Sequence, residues 1–492
     1  MGIIRKLASQ TAIYGISSIF GRFLNYLLVP LYTYYFSAAE YGVVSEFYAY
    51  AGFFSVLLLF GFETGYFRFR DKESDGRGDT AYSTALIFVV LVNLGFFLLI
   101  RWLNAPLSAA LHYANHPEYV LWFAIILTLD AMTAIPFARL RAENKALRFA
   151  SIKVAEITIT ILLSLFFIVY CPKALGQNPG SWVSRVYDPA VSVGYIFIAN
   201  LLASVFKFLL LTPQFKGLAW GFDRQLFGRM LRYSLPMVVI GFAGIINEML
   251  DRALLKYLLP YDEVTNLKML GIYSACYKLS ILMSLFIQAF RYAAEPFFFA
   301  YAGNSDARKV YADVLKFFVI FCVFIFLMVT LFIDFFKYFI GEEFRAGLEV
   351  VPILLLANLC LGIYVNLSIW YKLTDRTVMG AFVSLAGAGL TIVLNIWWIP
   401  TLGYVGSAWA TLACYGAMVI VSYLLGRKYY PVAYDVKRVI GYTSLGIALY
   451  LAHDQLPLDA GRPAWLSAGG LMLVYLLSVA LFEGRKIALK PA

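Results

Sequence analysis

The sequence predicts an all-α, polytopic membrane protein, and three observations predict it. The chain is 62% hydrophobic and only 14% charged, with a mean hydropathy of +0.76. Its apolar runs recur at roughly 20–25 residues, the length that crosses about 30 Å of hydrocarbon at 1.5 Å per residue. Lysine and arginine concentrate in alternate loops, as the positive-inside rule requires of a multi-pass protein. A membrane barrel does not fit, because the runs are continuously apolar and lack the ten-residue alternation of barrel strands.

Taken in order, the runs place fourteen spans at about 8–35, 41–67, 80–103, 119–138, 148–170, 190–212, 233–258, 269–293, 311–333, 346–369, 377–399, 402–425, 438–453 and 464–483. The first run extends through Tyr35 with Arg22 inside it and shows no cleavage pattern, so it is expected to stay as a helix. The eleventh and twelfth spans are divided at Pro400-Thr401-Leu402-Gly403, and the thirteenth is short.

The loops then sort by charge. One set holds Arg5 and Lys6; Arg68, Arg70, Lys72 and Arg77; Arg139, Arg141, Lys145 and Arg148; Lys216, Arg224, Arg229 and Arg232; Arg308 and Lys309; Lys372 and Arg376; Arg427, Lys428, Lys437 and Arg438; and Arg485, Lys486 and Lys490. These are 25 basic residues, against 7 on the other side: Lys173, Arg185, Lys256, Lys268, Lys337, Arg345 and Arg462. Both termini are therefore expected in the cytoplasm, with an even number of spans. The net charge of +11 is accounted for by topology, which leaves little support for nucleic-acid binding.

Two six-helix lobes with pseudo-symmetry are expected, 1–212 and 233–425, joined by a cytoplasmic linker at 213–232 and followed by two further spans and a tail in 426–492. The hint is a loose repeat. Tyr41-Gly42-Val43-Val44-Ser45 opens span two, Leu270-Gly271-Ile272-Tyr273-Ser274 opens span eight, and Pro400-Thr401-Leu402-Gly403-Tyr404 opens span twelve. Such lobes enclosing a cleft would open to alternate sides. No soluble domain interrupts the series and no phosphate-binding loop occurs, so ATP hydrolysis in the chain is not expected. The five cysteines are scattered, four of them within apolar runs, and read as packing residues with no metal spacing.

Charges inside apolar spans mark candidate sites, because a charge at membrane depth costs several kcal/mol and normally faces protein or water. Arg22 lies near mid-depth in span one, suited to contact with phosphate or carboxylate oxygens; a local packing role, or neutralisation by Asp130 in span four, are the alternatives. Lys278 in span eight is the corresponding cation of the second lobe, and Arg291 and Glu295 share a face four residues apart, where they could pair. Glu63, Asp130, Glu248 and Glu295 are candidate ion-coupling or charge-balancing groups. Lys153 and Glu156 read as an i, i+3 pair, and Lys207 as a side chain that snorkels to headgroups. Asn93, Asn200, Asn247, Asn358, Asn366 and Asn395 add neutral polar atoms, some of which are expected to join helices without touching cargo.

The layout, the run from Gly15 to Tyr35 followed by Ala39-Glu40-Tyr41-Gly42, the stretch Leu270 to Lys278, and Pro400 to Gly406 resemble bacterial oligosaccharide flippases of the polysaccharide-biosynthesis family. That family sits in the larger group of multidrug and toxin extrusion transporters and peptidoglycan lipid flippases. The resemblance implies movement of an undecaprenyl-pyrophosphate-linked oligosaccharide from the cytoplasmic to the periplasmic leaflet, in lipopolysaccharide or capsule biosynthesis at the bacterial inner membrane. A cationic interior, common in the family, makes Arg22, Lys278 and Arg291 the substrate-binding candidates, with no catalytic residue, metal or cofactor. Proton or sodium coupling, and partnership with a glycan polymerase and assembly proteins, are implied in the same way. The alternatives are a cation-coupled drug or metabolite exporter of the same fold, and a non-transporting scaffold for glycan assembly.

Overall fold

A computed structural model describes residues 20–70, 78–215, 221–455 and 464–487. The first part of span one, both termini, and Arg5, Lys6, Lys72, Arg77, Lys216, Arg462 and Lys490 lie outside the described residues. Every long element among the described residues is a helix, as hydrocarbon requires of an open chain whose backbone groups must bond within each segment.

Helical residues 20–26 lead into α1, Leu28–Tyr35. There follow α2 (Ala38–Leu59), α3 (Phe62–Arg70), α4 (Gly78–Trp102), α5 (Pro117–Ala142), α6 (Ala146–Leu165), α7 (Cys171–Gln177), α8 (Gly194–Leu211) and α9 (Arg224–Leu258). The remainder is α10 (Glu263–Leu279), α11 (Ile281–Tyr301), α12 (Ala307–Leu331), α13 (Val350–Leu367), α14 (Thr377–Tyr429), α15 (Val436–Gln455) and α16 (Ala464–Ile487). Ten of the described helical runs are long and apolar enough to cross a membrane, and the bent pair α10 and α11 makes an eleventh span. The multi-pass all-helical class is therefore as expected, while fewer runs pass individually than the fourteen placed from sequence. The reasons are local. Span one is described only from Phe20, α15 is not apolar enough alone, and α14 runs through two expected spans in one continuous stretch.

That stretch turns at Gly403, where φ is 63° and ψ −150°. This backbone conformation is essentially reserved for glycine, so the division expected at Pro400 to Gly403 is made by that residue. Span eight breaks differently, by 49° at Ser280. There the Asn358 amide donates to Ser280 Oγ (3.2 Å) and its Oδ1 accepts from Ser284 Oγ (3.3 Å), bracing the break with polar partners inside the bundle.

The chain forms two compact units. Unit one comprises residues 1–36 and 43–249; unit two comprises residues 37–42 and 250–492. The division falls inside α9, and the first residues of α2 belong with unit two. Unit one is built on α4, α5, α6 and α8, with an aromatic core in which Phe47 packs on Tyr113, Phe123 and Phe197 at 5.1–5.2 Å. Unit two is built on α12, α13 and α14, and α15 and α16 dock on α12. Their anchor is Glu483, almost fully buried, which pairs with Lys316 (3.0 Å), Arg438 and the Tyr442 hydroxyl (2.9 Å).

Within unit two, the start of α2 crosses α10 with backbone against backbone. A Cβ added at Gly42 would overlap the Leu267 carbonyl, and one at Gly271 would overlap the Ala38 carbonyl. The matching glycines of the repeat thus meet each other, because only a hydrogen in place of a side chain allows this approach.

Candidate functional site

The intramembrane charges of unit one gather around α8. Lys207, expected to snorkel outward, is instead 2% exposed and points into the bundle. Its ammonium lies 2.6 Å from Asp130 Oδ1 on α5 and 2.5 Å from Glu156 Oε1 on α6. Ser204, one turn earlier on α8, also donates to Asp130 (2.7 Å), and Lys153 reaches Glu156 at 3.1 Å as the i, i+3 spacing indicates. The physical reason for the correction is arithmetic of charge. Asp130 and Glu156 carry two negative charges on facing helices while Lys153 supplies only one positive charge, and Lys207 on the third helix completes the balance.

This network decides the fate of Arg22. Asp130, the alternative counter-charge, is engaged by Lys207, and the Arg22 side chain makes no hydrogen bond or ion pair with any described residue. Arg22 is exposed and lines a cavity of about 240 Å³ with Gly21, Asn25, Lys153, Glu156, Ile157, Thr160 and Asn200. Lys153, Lys207, Asp130 and Glu156 sum to zero, so Arg22 leaves the cavity with a net positive charge. Asn200 spends its amide donor on the Ile196 carbonyl (2.8 Å), and Thr160 donates to Glu156 O (3.1 Å). The site is an electropositive, amide-lined recess, narrower than the roughly 300–1,000 Å³ of cavities that hold a whole drug-sized ligand. It suits one compact anionic group, with amides at hand for hydroxyls.

The other predicted residues fall elsewhere. Glu63, on α3, pairs with Arg141 at the end of α5, so it is a contact between helix ends. In unit two, Lys278 is half-buried in the last turn of α10, at the break of span eight, and Arg291 is exposed on α11. Arg291 and Glu295 do not pair. Glu295 is taken by Lys372, and the Arg291 side chain has no hydrogen-bonding or ionic partner among described residues. Glu248 is exposed on α9. Its neighbour Asp251 is buried and accepts from the Tyr273 hydroxyl at 2.6 Å, while Arg252 stacks on the Tyr277 ring at 4.0 Å.

One acidic residue escaped sequence reading. Glu46 on α2 is fully buried and accepts hydrogen bonds from Tyr50 (2.6 Å) and Tyr113 (2.5 Å). Its place seven residues before Phe53, in an otherwise apolar run, was the available signal. All five cysteines are free, and the described residues contain no group of three or more potential metal ligands.

Comparison with known proteins identifies the family and the fold. A sequence model of the family described as polysaccharide biosynthesis protein matches residues 7–301, more than half of the chain. The chain belongs to that family. A search of curated protein sequences returns no match. Among solved structures, the lipid II flippase MurJ in an inward closed conformation matches with a TM-score of 0.74 at 16% identity, covering 97% of this chain and 100% of that one. A multidrug resistance MATE transporter of the MOP superfamily, inward-facing, matches with a TM-score of 0.66 at 14% identity, covering 86% and 97%. An outward-facing MATE transporter gives 0.57 at 15% identity, covering 85% and 94%. The fold of this family member is thus that of MurJ and the MATE transporters, proteins named as a flippase and as transporters.

Proposed function

We propose that this protein is a flippase that moves an undecaprenyl-pyrophosphate-linked oligosaccharide from the cytoplasmic to the periplasmic leaflet of a bacterial inner membrane, with both termini cytoplasmic. The observation that carries the reading is the recess around Arg22, whose positive charge is left over after every neighbouring carboxylate has been matched. Moved unaided, a diphosphate and a hydroxyl-rich glycan would leave charges and hydrogen-bond sites unsatisfied in hydrocarbon. A guanidinium whose donors are uncommitted among the described residues offers the diphosphate a bidentate contact. Asn25 and Asn200 offer amide contacts to adjacent hydroxyls, while the prenyl tail remains in lipid. Lys207 has a positioning role in this reading, since it keeps Asp130 and Glu156 from neutralising Arg22. Lys278 and Arg291 are proposed as cations of unit two that serve the same substrate. Alternating access would carry the bound group across. Nothing in the cycle calls for covalent chemistry.

Asp130, nearly half exposed at its side chain, is the group we assign to any proton or sodium coupling. The second reading, an ion-coupled exporter, draws on the likeness to MATE transporters. A free arginine in the recess disfavours cationic drugs as cargo. The reading is tested by binding of inorganic pyrophosphate to the purified full-length protein. Wild type is expected to bind it and Arg22→Gln to lose about tenfold or more in affinity, as loss of a charge-assisted bond predicts. Equal affinity in the two would reject the recess as the diphosphate site.

A further inference from the structure

A second cationic feature lies on unit two, where three separate segments converge. Arg308 opens α12, Arg376 precedes α14, and Arg427 and Lys428 close α14. Each is exposed, and each lies over a tyrosine ring. Arg376 sits 4.3 Å from the Tyr429 centroid, Arg308 5.0 Å from Tyr430, and Arg427 5.9 Å from Tyr423, with the Lys428 ammonium 5.4 Å from Tyr429. Tyr429 stacks in turn on the buried Trp370 at 6.2 Å, and Tyr423 meets Tyr434 at 6.5 Å, so two ring pairs, with Tyr430, back the platform.

Four of the carboxylates near this platform are engaged, while Asp375, beside Arg376, makes no side-chain hydrogen bond or ion pair with any described residue. Asp313 pairs with Lys316 (3.2 Å), Asp435 with Arg438 (3.2 Å) and Glu295 with Lys372, and Asp306 accepts from the Tyr301 hydroxyl (3.2 Å). The side chains of Arg308, Arg376, Arg427 and Lys428 make no hydrogen bond or ion pair with any described residue. A guanidinium that lies on an aromatic face is held by its π surface and keeps its in-plane N–H groups free. Those donors match phosphate oxygens in geometry. The three segments all come from loops that the charge count assigns to the cytoplasmic side, and tyrosine and tryptophan are the residues that settle at headgroup depth.

We propose that this platform is a docking surface for anionic phospholipid headgroups of the cytoplasmic leaflet, which seat unit two at a fixed depth. It goes beyond the transport reading and does not depend on it. Each basic residue at an anionic surface is worth about 1 kcal/mol, or roughly fivefold in affinity. The test uses the full-length, delipidated protein in detergent, with native mass spectrometry to read phosphatidylglycerol bound against phosphatidylcholine. The triple variant Arg308→Gln, Arg376→Gln, Arg427→Gln is expected to weaken phosphatidylglycerol binding by about 100-fold. A control pair, Lys173→Gln and Arg185→Gln, is expected to change it less than about twofold. Salt at about 0.5 M should weaken wild-type binding, as screening requires. The single variants, about fivefold each, carry the test should the triple variant not fold. Unchanged binding in the variants, or an equal loss in the control pair, would overturn the proposal. Displacement of phosphatidylglycerol from wild type by equimolar undecaprenyl pyrophosphate would overturn it too, by making the platform a substrate site.

Discussion

Replacing Lys207 with methionine removes one charge and almost no volume, which makes it the cleanest probe of the ionic network in unit one. Its ammonium is 2.5 Å from Glu156 and 2.6 Å from Asp130, and the side chain is only 3% exposed. Removing one partner of a buried pair costs about 3–5 kcal/mol, because the other charge is left uncompensated. Glu156 is 16% exposed and keeps Lys153 at 3.1 Å, whereas Asp130 is 46% exposed and can be rehydrated. The cost should therefore sit at the low end, about 3 kcal/mol. Chemical denaturation in a single detergent would measure it. Adding Glu156→Gln to Lys207→Met should recover a large part of the loss, since the amide carries no charge to strand. A loss below about 0.5 kcal/mol, or no recovery in the double variant, would refute the assignment of Lys207 as the internal counter-charge.

Other outcomes follow from the same structure. Gly271→Ala should destabilise unit two by about 1–3 kcal/mol through overlap with the Ala38 carbonyl, readable as a lowered melting temperature, whereas Gly469→Ala, with open space around it, should not. Glu343 accepts the Ala38 N–H (2.9 Å), the main cause that holds its carboxyl below the usual value, with Lys268 at 3.1 Å adding to it. Its folded pKa is depressed, so its stabilising contribution is present above the unfolded value of about 4.5 and is lost as pH falls through the lower folded one. The melting-temperature gap between wild type and Glu343→Gln should accordingly hold steady from about pH 7 to pH 5 and narrow as pH falls below about 4.5.

The class of fold was legible because hydropathy and loop charge are properties of the chain alone. The break at Gly403 was legible too, since a proline and a glycine close together at the end of an apolar run announce it. The partners of the charges were not. Lys153 and Glu156 sit three apart on one helix, so their pairing could be read, but Lys207 meets Asp130 and Glu156 across three helices separated by 51 to 77 residues. Which way a lysine points within a span depends on what the neighbouring helices present. The same limit explains Glu295, whose spacing suggested Arg291 while Lys372, 77 residues away, took it. It also hid the meeting of Gly42 with Gly271, although the repeat placed them at matching positions.

The most direct measurement is leaflet transfer of a labelled undecaprenyl-pyrophosphate glycan by the full-length protein reconstituted in vesicles, with wild type beside Arg22→Gln and with ion gradients controlled. Transfer by wild type, and its loss by an order of magnitude or more in an Arg22→Gln protein that still folds, is the predicted result. Transfer at equal rates by both proteins, or none by wild type under any gradient, would contradict it.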